Sequence, residues 1–171
     1  MTVAQLTLDL PHRAALGAED FLVSDCNLAA VRLIDAWPNW QNHVQLLIGP
    51  EASGKTHLAR VWQALSGAQA LAPETLVMPL LDSMDEGTPL VVEDADRVAY
   101  DEKALFHLLN LAREKDLYVL ITAESAPSRW GIALPDLKSR LNAVPAVEIG
   151  APAEALIRTV MLKHFTDRQL D

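Results

Sequence analysis

Eight consecutive residues, Gly49, Pro50, Glu51, Ala52, Ser53, Gly54, Lys55 and Thr56, spell G-x-x-x-x-G-K-T directly after the apolar run Val44 to Ile48. Residue types in that order bind phosphate. The glycines let the backbone curl until successive N–H groups converge on an anion, at the positive end of the helix that follows. Lys55 is placed to reach the terminal phosphates of a nucleotide, and the Thr56 hydroxyl to ligate Mg²⁺. The next residue, His57, opens a helical pattern with apolar residues at Leu58, Val61, Trp62 and Leu65, so it is counted with the cradle. A Gly-rich turn with an exposed lysine is the bland alternative, and the strand-loop-helix context argues against it.

Phosphate chemistry needs a second acidic element, and Leu90, Val91, Val92, Glu93 and Asp94 supply a short apolar strand ending in two carboxylates. The carboxyl end of such a strand opens toward the nucleotide, which sets Glu93 to hold the metal and Asp94 to polarise an attacking water. Aspartate is the usual first acid, so Glu93 holds the metal on a longer arm. Alone, the pair would read as an acidic turn. Tyr118 to Thr122 forms a further buried strand ending in a hydroxyl at Thr122.

These groups must be carried by a sheet. Apolar segments at Val44 to Ile48, Thr75 to Leu80, Leu90 to Val92, Leu117 to Ile121 and Val144 to Ile149 predict five strands. Helical spacing falls between them, at Leu28 to Trp37, His57 to Leu65, Glu102 to Glu114 and a short segment from Pro135, and again at Pro152 to Arg168. Alternation of this kind predicts an α/β fold, a parallel sheet with helices on both faces. Residues 1–17 read as a tail with no clear period, and residues 18–171 as one nucleotide-binding domain.

The chain of 171 residues is half apolar, enough to bury a core, and its formal charge of −9 argues against broad nucleic-acid binding, which depends on lysine and arginine; no direct sequence-specific DNA binding is expected. A lone cysteine, Cys26, makes no internal disulfide and reads as a small buried residue. No signal-like segment and no bilayer-length apolar run is present in it, so a cytoplasmic protein off the membrane is expected.

The order of parts resembles a family. A phosphate loop at Gly49 to Thr56, acids at Glu93 and Asp94, a polar strand end at Thr122 and then Leu137-Lys-Ser-Arg140-Leu141 is similar to the nucleotide-binding domain of the bacterial replication initiator DnaA, of the AAA+ superfamily. The resemblance implies a three-layer P-loop fold with a five-stranded parallel sheet. It makes Arg140 the arginine finger that touches ATP on a neighbouring subunit; an isolated Lys138 and Arg140 would otherwise be a solvated helix edge. It also implies that Asp20, Phe21, Leu22 and Val23, followed by Asn27, wrap the adenine, with the backbone near Leu22 and Val23 reading the base. Family members continue into a helical lid, which this sequence is expected to lack.

The tail adds a second resemblance. Gln5, Leu6, Thr7, Leu8, Asp9 and Leu10 are similar to the Gln-x-x-Leu-x-Leu/Phe peptide by which bacterial proteins dock on the sliding clamp of the replicative polymerase. An extended tail can set Leu8 and Leu10 in an apolar cleft while the Gln5 amide answers polar groups at its edge. Together the two features resemble DnaA-homologous regulators that bind the DNA-loaded clamp, carry ADP, and promote hydrolysis of initiator-bound ATP. The implied partners are the clamp, the initiator and, as an open question, further copies in a homo-oligomer. Two rivals stay open: an autonomous P-loop kinase or ATPase, and an AAA+ loader associated with DNA.

Overall fold

The computed structural model describes residues 23–97 and 99–151. Five strands, β1 (Val44–Ile48), β2 (Gln69–Leu71), β3 (Pro89–Val92), β4 (Tyr118–Ala123) and β5 (Ala146–Glu148), form one sheet in the order β2-β3-β4-β1-β5. Every pairing is parallel; Val44 to Ile48 runs in register with Val119 to Ala123, and Leu46 to Ile48 with Ala146 to Glu148. Parallel neighbours require crossovers, and helices α1 (Leu28–Asp35), α2 (Lys55–Ser66), α3 (Met78–Asp82), α4 (Glu102–Glu114) and α5 (Pro135–Asn142) occupy the connecting segments or precede the sheet.

The strand period of two sorts the core into two layers. Val44, Leu46 and Ile48 of β1 join Leu90, Val92, Val119 and Ile121 on the face covered by α3, α4 and α5. Leu47, Val91 and Leu120 point the other way, onto Ala30, Ile34, Leu58 and Trp62 of α1 and α2. Buried on both faces, β1 and β4 have no polar alternation, as expected of central parallel strands. Helix α4 is capped by Asp101, whose carboxylate accepts from the N–H groups of Lys103 and Ala104, and it buries Leu105, Leu108, Leu109 and Ala112.

One expected strand is a helix. Residues 75–80 hold the end of a 3₁₀ turn at Pro73–Thr75 and the start of α3. Pro79 lacks the N–H that a strand ladder would use but fits a first helical turn, and of this apolar run Val77, Met78 and Leu80 are 49%, 42% and 39% exposed. The fifth strand is β2, three residues long and paired only with β3; of its side chains Leu71 alone is buried, too little to register as a pattern. Helices α1 and α5 and strand β5 fall within the segments expected for them, and α2 starts two residues earlier, at Lys55. The helix expected from Pro152 lies outside the described residues.

Candidate nucleotide-binding site

The loop between β1 and α2 is curled and tightly packed. Gly49 donates its N–H to Ala123 O at 3.1 Å, which anchors the loop to the end of β4, and the Ser53 N–H reaches back to Pro50 O at 3.2 Å. A Cβ on Gly49 would meet Ser53 Oγ at 2.7 Å and Ile149 O at 3.0 Å, so a larger residue there would have to displace both. Ala52 holds φ 58° and Gly54 φ 102°. Left-handed backbone costs a non-glycine residue such as Ala52 about 1 kcal/mol, and alternating hands turn successive N–H groups toward one point. From Lys55 onward the first-turn N–H groups of α2 have no partner one turn back inside the helix and face its open end. The Lys55 ammonium is buried and donates to Gly49 O at 2.8 Å and Pro50 O at 3.0 Å, so it lies over the loop. Ser53 Oγ is buried with no hydrogen-bond partner. Glu51 and Thr56 are exposed at the rim and His57 is half-buried.

Beside the loop, the end of β4 ties the acids in place. Strand β4 lies between β1 and β3, so Thr122 and Ala123 stand between the loop and the carboxylates. Thr122 is fully buried; its Oγ1 accepts from the Asp94 N–H at 3.0 Å and its carbonyl from the Ala95 N–H at 3.0 Å. Asp94 adopts φ 52°, a left-handed conformation that aspartate tolerates better than most residues. Glu93 and Asp94 are both half-buried at the carboxyl end of β3. Gly49, Lys55, Glu93, Asp94 and Thr122 are therefore gathered at one edge of the sheet.

Asp96 is a site neighbour that sequence reasoning misses. Its carboxylate accepts from the N–H groups of Glu124 and Ser125 and from Ser125 Oγ, at 2.8 to 3.1 Å, which pins the loop after β4 to the loop after β3. Arg97 adds an ion pair to Glu124 at 2.9 Å. A lone aspartate two residues past an acidic pair carries no pattern; its tendency to bond nearby backbone N–H groups is the only signal it offers. Tyr100 lines a recess with Asp96, Glu102 and Trp130, and its phenol is pushed up to about 12, by burial first and then by the charges of Glu102 and Asp96.

The segment before α1 also reaches this edge. The Gly150 N–H donates to Cys26 O at 2.8 Å, a Cβ on Gly150 would come within 3.3 Å of Cys26 Cβ, and Ile149 packs on Gly49. Val23 is half-buried against the α1 and α2 core, and Cys26 is half-buried with its Sγ 2.9 Å from Ser24 Oγ. Leu22 and the tail residues Gln5, Leu6, Leu8 and Leu10 lie outside the described residues.

Arg140 is elsewhere. On the last turn of α5, it lines a recess with Gln41, His43, Val44 and Pro145, at the amino ends of β1 and β5. The phosphate loop is at the opposite end of β1, about 13 Å away at roughly 3.3 Å per residue. The chain's own loop and Arg140 are thus not parts of one site.

Mg²⁺ needs few protein ligands when phosphates supply the rest. Among the described residues no three His, Cys, Asp or Glu side chains gather as a metal site. The close fit at Gly49, the orphaned Ser53 Oγ and the buried Lys55 ammonium match a nucleoside polyphosphate in the loop. No helix among the described residues is long and apolar enough to cross a membrane.

A five-stranded parallel sheet in this order, with helices on both faces and a curled loop after β1, is a three-layer α/β fold of the P-loop type. The chain is similar to a DNA replication initiation factor (TM-score 0.72, 16% identity, covering 90% of this chain and 55% of that one). It is also similar to domain III of the Thermotoga maritima replication initiation protein DnaA (TM-score 0.69, 16% identity, 90% and 74% covered) and to AMPPCP-bound DnaA from Aquifex aeolicus (TM-score 0.65, 20% identity, 85% and 54% covered). The chain spans about half the length of the first and last of these. At such identities the likeness is one of fold. No protein-family model and no curated protein sequence matches the chain.

Proposed function

We propose that the chain is a regulator of replication initiation of the kind represented by Hda, a DnaA-homologous protein that drives hydrolysis of ATP held by the DnaA initiator. The observation that carries this reading is the placement of Arg140. A guanidinium at the amino end of β1 is out of reach of the chain's own loop but open to a neighbouring molecule. In that position it would offset the charge that develops on a partner's γ-phosphate as water attacks phosphorus and the bond to ADP breaks.

In this reading the chain's own nucleotide, ADP or ATP with Mg²⁺, is a structural cofactor. Backbone groups from Gly49 to His57, with Pro50, Glu51, Ala52, Ser53 and Gly54 shaping the curl, hold its phosphates; Lys55 neutralises them and Thr56 and Glu93 hold the metal. Val23 and Leu22 border the base. Thr122 borders the bound nucleotide, and Asp94, shorter than the more usual glutamate, orients water there weakly, so the chain's own hydrolysis is slow. Gln5, Leu6, Leu8 and Leu10 tether the molecule to the sliding clamp, which raises its local concentration around the initiator.

The test is a reconstitution with clamp, DNA and ATP-loaded initiator, following initiator ATP over time. Wild-type protein stimulates hydrolysis, and Arg140→Ala lowers that stimulation by about 10³. Gln5→Ala combined with Leu8→Ala abolishes clamp capture in a pull-down. Undiminished stimulation by Arg140→Ala, or rapid multiple turnover of ATP by the protein alone, would overturn the reading and favour an autonomous P-loop ATPase or kinase.

A further inference from the structure

Arg140 does not stand alone at the amino end of the sheet. Its guanidinium carbon lies 5.5 Å from the centre of the Phe106 ring, and Phe106, Leu109 and Arg113 follow one another along a single face of α4. Arg113 and Arg140 line the same recess, together with Gln41, Asn42 and His43. No aspartate or glutamate lines it, although the chain carries 23 acidic residues against 14 basic ones. Neither arginine belongs to an ion pair among the described residues; the pairs found there include His43 with Asp116, Arg97 with Glu124 and His107 with Asp82. His43 Nδ1 is buried without a hydrogen-bond partner.

Two unpaired guanidinium groups facing one recess in an acidic protein repel each other, and an anion placed between them removes that repulsion while offering acceptors to both forks. The recess, about 130 Å³, has room for a group the size of one phosphoryl, and under the function proposed above the rest of such a ligand is held by the partner.

We infer that Arg113 is a second phosphate-contacting residue: Arg113 and Arg140 together grip the terminal phosphate of a nucleotide bound by the partner, with Phe106 positioning the Arg140 plane. This rests on the function proposed above. It assigns the recess a tetrahedral oxyanion, and it makes Arg113 a contributor to rate rather than to stability, since Arg113 is exposed on α4 and no core contact depends on its guanidinium.

The experiment has two arms. In the reconstituted assay, Arg113→Ala lowers the maximal stimulated rate about tenfold or more, as expected for loss of a charge-assisted hydrogen bond, and Arg113→Lys recovers only part of it because a point charge does not replace a fork. In the second arm, inorganic phosphate is titrated into the protein alone while the arginine Nε–H signals are followed by NMR; both Arg113 and Arg140 shift with a common midpoint, and Phe106→Leu weakens the response of Arg140. Full stimulation by Arg113→Ala, with Arg140→Ala inactive, overturns this inference and leaves the proposed function standing. The inference falls in that case even if free phosphate shifts both signals, because the anion would then not be the partner's nucleotide. Undiminished stimulation by Arg140→Ala overturns the proposed function and with it the partner nucleotide as ligand. Absence of any phosphate response overturns the paired site directly.

Discussion

At the carboxyl end of the sheet Lys55, Asp94 and Asp96 are answered within the chain, though Ser53 Oγ is not, whereas at the amino end two arginines form no ion pair among the described residues. Lys55 is held by two loop carbonyls, Asp94 N–H by Thr122 Oγ1, and the Asp96 carboxylate by three donors. Arg113 and Arg140 share a recess with no acid in it. The first arrangement is held in place by the chain's own hydrogen bonds. The second is incomplete by itself and gains from an anion that another molecule brings.

That contrast can be broken most forcefully at Lys55. Lys55→Ala removes the ammonium from the loop, and ADP affinity measured by calorimetry falls by about a hundredfold, roughly 3 kcal/mol; unchanged affinity would mean that the loop is not the nucleotide site. Asp96→Ala leaves two backbone donors and one hydroxyl without their acceptor and costs about 2 kcal/mol of stability in denaturant titration. A negligible loss would show that water answers those donors equally well.

A smaller effect comes from Tyr100. Its folded-state ionisation at about 12 lies above the ordinary value of about 10, so the neutral phenol favours the folded state. The associated stability is fully present below about pH 10 and is lost as pH rises toward about 12. A tyrosinate absorbance titration should show one of the two tyrosines ionising late, and Tyr100→Phe should remove that late step. The smallest effect belongs to the other end of the sheet. Arg140→Ala changes stability by about 0.5 kcal/mol or less, because the side chain makes no ion pair that folding depends on. A cost several times larger would recast Arg140 as a structural residue and erase the contrast between the two ends.

Much of the architecture was legible in local sequence because fully buried parallel strands must be apolar throughout. β1, β3 and β4 are such runs, and the helices facing them repeat at helical spacing. The count of five strands was also legible, but its membership was not. The apolar run at residues 75–80 attracts a strand assignment until Pro79 and the exposure of Val77, Met78 and Leu80 are weighed. The edge strand β2 exists because β3 offers an unpaired row of backbone groups, a property of the neighbour rather than of residues 69–71.

The curl of the loop between β1 and α2 was readable because glycine at set intervals is how a sequence encodes backbone shape. Glu93, Asp94 and Thr122 were readable as polar residues ending apolar strands. Sequence determined which groups lie at the carboxyl ends of strands, since strand direction and side-chain period follow from local pattern. Strand order did not follow from it. Tertiary structure alone placed β4 between β1 and β3, which brought Thr122 to Asp94, tied Asp96 to the loop after β4, and set Arg140 beside Arg113 at the end of the sheet opposite Gly49. Those juxtapositions join residues far apart in the chain, and the packing free energy that selects them is shared by the whole core rather than written in any one segment.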